Sequence, residues 1–247
     1  MASIAVIGHL SRDVVAGGEP RIGGGAWYAA RALAALGADA VIAASCGEED
    51  DAAFRAALGA TGVPFSLRAQ GHTTAFSFSY DDEGRRSMSV DAIGEPFTPE
   101  VDAEWLHVAP LVRGDVAIPE APHVLLDGQG LVRRPVLGPL TLDSAFDPDI
   151  LRGVTILKLS EEEAAVVGPV DVPELIVTHG RRGATVNGTH IPAEPVDADP
   201  TGAGDMFAAS YLAARAGGAE PVEAARRAST LVAELLSDNL SQGGFRA

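Results

Sequence analysis

Cysteine is nearly absent. Cys46 is the only one in 247 residues, so neither a disulfide framework nor a cysteine-built metal centre can form within the chain. Lysine is as scarce, with Lys158 alone among basic residues that are otherwise all arginine. Basic charge is short overall: 18 Lys and Arg face 34 Asp and Glu, a net charge of −16 that argues against a nucleic-acid partner. No apolar run approaches membrane-spanning length, and no basic-then-apolar leader opens the chain. A soluble, cytoplasmic protein with no membrane partner is expected. Histidines with metal-site spacing are missing, so His107 and His123 read as packing residues. No dinucleotide fingerprint, internal repeat or low-complexity stretch occurs.

What is present is a large apolar fraction, 47% of the residues, enough for a sizeable core in one domain over 1–247. Short buried runs (Ser3 to Gly8, Asp39 to Ala44, Trp105 to Val108, His123 to Gly128, Val154 to Leu159, Glu174 to Thr178) alternate with helical stretches. That alternation predicts a mostly parallel central sheet with helices on both faces, a three-layer α/β architecture. Residues 75–80 alternate apolar and serine, Asp81-Asp82-Glu83-Gly84 offers a turn, and Arg86, Met88 and Val90 alternate on the return. This predicts a small hairpin at about 74–90 with one apolar face.

The chemistry gathers at Asp199-Pro200-Thr201-Gly202-Ala203-Gly204-Asp205, which runs into an alanine-rich helix. Small residues at a helix N-terminus leave backbone N–H groups uncovered, a place for an anion. Asp205 would repel a resting phosphate there, yet it suits removal of a proton from a hydroxyl while Gly202, Ala203 and Gly204 stabilise a transferring group. The alternative is a plain glycine-rich loop with Asp205 as a helix cap.

This heptad resembles the catalytic signature of the ribokinase-like (PfkB) carbohydrate kinases, and further segments resemble the family in the same order over nearly the whole chain. Asp13 stands where the family binds its sugar. Gly23-Gly24-Gly25, opening a helix that stops at Leu36-Gly37, is similar to its acceptor loop, with Gly24 and Gly25 close to the substrate. Lys158-Leu159-Ser160-Glu161-Glu162-Glu163 is similar to its Lys-x-Asn-x-x-Glu run, and Thr178-x-Gly180-x-x-Gly183 to its nucleotide turn. The resemblance implies ATP and Mg²⁺ as cofactors, with Lys158, Thr178, Gly180 and Gly183 toward ATP and Glu163 reaching Mg²⁺ through water. Asp199 and Thr201 lie where some relatives hold a monovalent cation such as K⁺. It further implies phosphorylation of a small sugar, polyol or nucleoside, and is compatible with a homodimer.

Three departures stand out. Tyr28 replaces an asparagine of the acceptor loop, and Ser160 replaces the asparagine before Glu163, where a bare capping box already explains Ser160 and Glu163. The interval between Asp13 and Gly24 looks too short for a second pair of lid strands, so a reduced β lid is expected. These departures support an alternative: a non-catalytic ligand-binding or regulatory protein that keeps the fold.

Overall fold

The computed structural model describes residues 4–15, 18–80 and 86–241. The chain order begins with β1 (Ile4–His9), β2 (Ser11–Val15), β3 (Arg21–Gly23), α1 (Gly25–Leu36), β4 (Ala40–Cys46), α2 (Asp51–Thr61), β5 (Phe65–Ala69), β6 (Thr74–Tyr80) and β7 (Arg86–Ala92). It continues through β8 (Trp105–Ala109), β9 (His123–Asp127), α3 (Gln129–Val132), β10 (Gly138–Pro139), β11 (Ile156–Ser160) and α4 (Glu161–Val167). It closes with β12 (Glu174–Thr178), β13 (Ala184–Val186), β14 (Thr189–Ile191), α5 (Ala203–Ala216) and α6 (Pro221–Ser241).

Nine strands form the main sheet in the order β14-β13-β12-β11-β9-β8-β1-β4-β5. All its pairs from β12 to β5 are parallel, and β13 and β14 add an antiparallel edge. β1 and β8 are buried along their whole lengths, which is why they read as continuous apolar runs. One face packs on a core that includes α1, α2, α5 and α6, the other on a core that includes Leu131, Val132 and residues of α4.

Alanine decides how the upper helices meet. α1 buries Ala26, Ala29, Ala30 and Ala32, and α5 buries Ala208 and Ala209. Side chains this short let two backbones approach closely, which brings the N-terminus of α1 beside that of α5. Leu33 and Leu212, both fully buried, anchor the pair at about 2 kcal/mol each. α1 ends at Gly37 in the left-handed conformation (φ 58°), with the Ala38 N–H reaching Leu33 O at 3.0 Å. Farther along α5, Tyr211 Oη donates to Glu174 Oε2 at 2.6 Å, and Arg215 Nε donates to the same carboxylate at 3.1 Å, tying the helix to the start of β12.

The expectation of a missing second lid segment is overturned. Two short antiparallel strands, β2 and β3, fit between β1 and α1, and β2 pairs in parallel with β6. With β7 and β10 they make a five-stranded sheet in the order β10-β7-β6-β2-β3. The spacing argument failed because it counted two full strands with their turns, whereas β3 has only three residues and β2 borrows a partner remote in sequence. The expected hairpin is β6 and β7, with Phe76, Phe78 and Val90 in a separate small core against Leu111 and Val112. The expected turn at Asp81 to Gly84 lies outside the described residues. No helix among the described residues is long and apolar enough to cross a membrane.

Candidate active site

The C-terminal ends of parallel strands in an open α/β sheet are where ligands bind. Here β9 ends at Asp127, β11 at Ser160 and β12 at Thr178, with the loop into α5 above them. Gly202 caps α5 at φ 80°, a left-handed conformation that favours glycine. An ideal β-carbon there would also overlap the Tyr28 ring, so the ring of α1 lies directly on the cradle. The three amides expected in the anion hole are not equivalent. Ala203 N–H is turned back to Pro200 O at 3.0 Å, whereas among the described residues no hydrogen bond engages the amides of Gly202, Gly204 or Asp205. The uncovered donors are thus those of Gly202, Gly204 and Asp205, with Ala203 withdrawn from the set.

Asp205 is partly exposed and lies against the start of α1, where an ideal β-carbon on Gly25 would come within 3.0 Å of Oδ1. Burial and then the charge of Asp127 push its carboxyl up to about 6, against the opposing pull of Lys158, His107 and Arg133. Such a group is mostly ionised at neutral pH yet takes up a proton readily, as a general base must.

Asp13, on β2, is buried and accepts from Ser11 Oγ at 2.8 Å. Its carboxylate fills the space a side chain at position 23 would need. Gly24 has φ 94°, and an ideal β-carbon there would stand 2.5 Å from His9 O. Tyr28 completes this wall. Burial, then Asp13, Asp205 and Asp199, raises its hydroxyl well above the usual tyrosine range, so it remains a neutral donor among carboxylates.

On the opposite wall, Thr178 Oγ1 donates to Leu159 O at 3.3 Å. Gly183 has φ 98°, and a side chain there would run into Ile191 O, so β12 and β13 can join only through glycine. Arg181 and Arg182 are exposed and paired with Asp197 and Glu161. Ser160 and Glu163 form the full capping box of α4: Glu163 N–H donates to Ser160 Oγ at 3.2 Å and Ser160 N–H to Glu163 Oε2 at 2.8 Å. Glu163 Oε1 lies 4.0 Å from Arg133. Asp199 Oδ1 accepts from both Thr201 N–H (3.0 Å) and Thr201 Oγ1 (2.6 Å), a turn that accounts for both side chains without a cation. No cluster of three His, Cys, Asp or Glu suited to a metal occurs among the described residues. A Mg²⁺ ion carried on donor phosphates with its own waters requires only one nearby carboxylate, and Glu163 fits that need.

Lys158 is not out at the nucleotide wall. It is buried beneath the cradle, its Nζ 2.6 Å from Asp127 Oδ1 and 3.1 Å from where a β-carbon on Gly204 would sit. His107, read as packing, points Nε2 at Asp127 Oδ2 from 2.8 Å. The part of His107 and that of Arg133 escaped the sequence reading because no local pattern joins them to this site. The solitary lysine and the aspartate at the end of β9 were the available signals. His123 does pack, stacked on Trp105 with ring centroids 3.8 Å apart.

Comparison with known proteins agrees with this arrangement. The sequence model of the pfkB family carbohydrate kinases matches residues 139–242. A 182-residue stretch, 65% of the chain, is 32% identical to an inositol 3-kinase of Zea mays, and the match spans 47% of that protein, about half its length. A pyrophosphate-dependent kinase of the ribokinase family, complexed with a pyrophosphate analogue and myo-inositol, superposes with a TM-score of 0.82 at 22% identity over 95% of each chain. The nucleoside kinase of Burkholderia thailandensis in complex with inosine gives 0.71 at 21% identity, over 95% of this chain and 90% of that one. The family model covers residues 139–242, under half of the chain, and the fold over nearly its whole length is that of the ribokinase-like (PfkB) kinases, to which the chain is similar.

Proposed function

We propose that the protein is a kinase that transfers the terminal phosphoryl group of ATP to a hydroxyl of a small polyol, with a cyclitol such as myo-inositol first among candidates and sugars and nucleosides next. The observation that carries this reading is Asp205, a partly open carboxylate with raised proton affinity beside the unengaged amides of Gly204 and Asp205. The similarity to an inositol 3-kinase and to a kinase that binds myo-inositol supports the cyclitol.

In this reading Asp13 and Tyr28 hold the acceptor hydroxyls, while Gly24 and Gly25 let the backbone come close to the ring. Asp205 takes the hydroxyl proton as the acceptor oxygen forms its bond to phosphorus and the bridging P–O bond of the donor breaks. The free amides at the start of α5 receive the charge of the transferring group, and Lys158 adds a positive charge beneath them. Positioning and charge stabilisation are most of what phosphoryl transfer needs. Thr178, Gly180 and Gly183 face the donor phosphates, and Glu163 stands ready to bind a water of the donor's Mg²⁺, an ion that would neutralise phosphate charge.

Pyrophosphate as donor is a second reading. It is supported by the fold-level likeness to a pyrophosphate-dependent kinase and by a donor wall made of turns and exposed arginines. The test is to supply the purified chain with Mg²⁺ and either ATP or pyrophosphate, then to follow phosphorylated product across myo-inositol, sugars and nucleosides. Acceptor-dependent product identifies the kinase and its donor. Acceptor binding by calorimetry with no product from either donor would replace the enzyme reading with that of a ligand-binding protein.

A further inference from the structure

His107, Asp127 and Lys158 stand side by side on the neighbouring strands β8, β9 and β11, with Lys158 and Asp127 paired in register. Asp127 and His107 are fully buried and Lys158 is 7% exposed. A carboxylate only accepts hydrogen bonds, so both contacts to Asp127 fix protons toward it: Nε2–H of His107 onto Oδ2 and the ammonium of Lys158 onto Oδ1. Each oxygen of Asp127 has its donor. A buried pair of this kind is no better for stability than apolar residues of the same volume, because desolvation offsets the attraction. Its place below Gly204 points to another use.

We propose that His107, Asp127 and Lys158 are positioning residues for Asp205: the imidazole orients Asp127, Asp127 anchors the ammonium, and the ammonium is held beneath Gly204 as the fixed counter-charge of the Asp205 carboxylate. The consequence for turnover rests on the kinase reading; the electrostatic part does not. The groups acting on Asp205 come from every neighbouring element. Asp127 on β9 raises its proton affinity, while Lys158 on β11, His107 on β8 and Arg133 after α3 lower it. Tyr28 on α1 faces it as a neutral phenol. Lys158 is held protonated: burial alone would lower it, but Asp127, Asp205 and Glu163 together raise it.

Two members of one buried pair therefore act on Asp205 in opposite senses. Asp127→Asn keeps the shape, removes the anion and leaves the cation, so the Asp205 midpoint should fall by about one pH unit or more. Lys158→Met removes the cation and leaves the anion, so the midpoint should rise. The double variant removes both charges and should bring the midpoint back toward that of the wild type. Carbon-13 NMR titration of the aspartate carboxyls in the full chain reads this directly, with the Asp205 signal assigned by its loss in Asp205→Asn. The acid limb of kcat/KM against pH should move with it. If Lys158→Met does not fold, Lys158→Gln tests the same sign, and Asp127→Asn alone decides the downward shift. Movement of both single variants in the same direction, or of neither, overturns the proposal. A wild-type chain that phosphorylates nothing would sink the kinase reading while the NMR titration still decides this one.

Discussion

An ideal β-carbon on Gly23 would overlap Asp13, one on Gly24 would crowd His9 O at 2.5 Å, and one on Gly25 would meet Ala109 Cβ at 2.8 Å, whereas one on Gly180 would meet nothing within 4 Å. The proposed acceptor wall is interlocked. β2, β3, α1 and the start of α5 touch through glycines and the Tyr28 ring, so a change in one element is felt by the others. The proposed donor wall is a pair of turns with exposed ion pairs; Gly183 is hemmed in by Ile191 O, but Gly180, Arg181 and Arg182 face open space and can vary with little effect on the rest. A site of this kind discriminates among acceptors by shape. In the proposed reading it would recognise a donor mainly through phosphate groups, which ATP and pyrophosphate share.

The sharpest break in that comparison is Asp205→Asn, which should lower turnover by about 10²–10⁴-fold, the range typical of a lost general base. Stability should change in the other direction. The folded state binds the Asp205 proton more tightly than the unfolded chain does, so this group's favourable contribution is full at low pH and is lost as pH rises through about 6. At pH 7.5 Asp205→Asn should therefore be more stable than the wild type by on the order of 1–2 kcal/mol, read by urea unfolding.

Gly202→Ala tests the interlock. It adds left-handed strain and a clash with Tyr28, for a loss of about 2–4 kcal/mol of unfolding free energy. Gly180→Ala, with φ 58° but open space, should show only the strain, about 1–2 kcal/mol. A combined Gly202→Ala and Tyr28→Ala chain that recovered nothing would remove the steric half of the argument.

For pH, kcat/KM should fall about tenfold for each unit below about 6, because the protonated carboxyl cannot accept the acceptor's proton. A profile flat from pH 5 to 8 would show that Asp205 is not the base. Tyr28→Phe should raise the acceptor KM up to about tenfold with kcat nearly unchanged, the effect of one lost hydrogen bond. At the small end, Arg182→Ala removes an exposed ion pair with Glu161 and should cost under about 0.5 kcal/mol, with donor KM changed less than about threefold.

Ser160 and Glu163 show how a motif carries two readings at once. The capping box expected from their spacing is present to the last bond, and the same bonds hold the Glu163 carboxylate at the start of α4, the position from which it is proposed to serve the donor's Mg²⁺. Gly202, Gly204 and Asp205 were legible as a cradle with an acid, because helix starts and glycine turns are local features. That Ala203 instead donates to Pro200 was not, since it depends on the turn actually adopted.

Sequence alone determined the layered α/β architecture, the hairpin of β6 and β7, and the loop into α5, all written in periodicity and turn chemistry within some twenty neighbouring residues. Tertiary structure decided what those signals do not encode. It joined β2 to β6 to complete a five-stranded second sheet, set Tyr28 on Gly202, and brought His107, Asp127 and Lys158 into one buried row. Each of these depends on strand order and helix approach, and residues twenty to nearly two hundred positions apart leave no local pattern by which to foresee their contact.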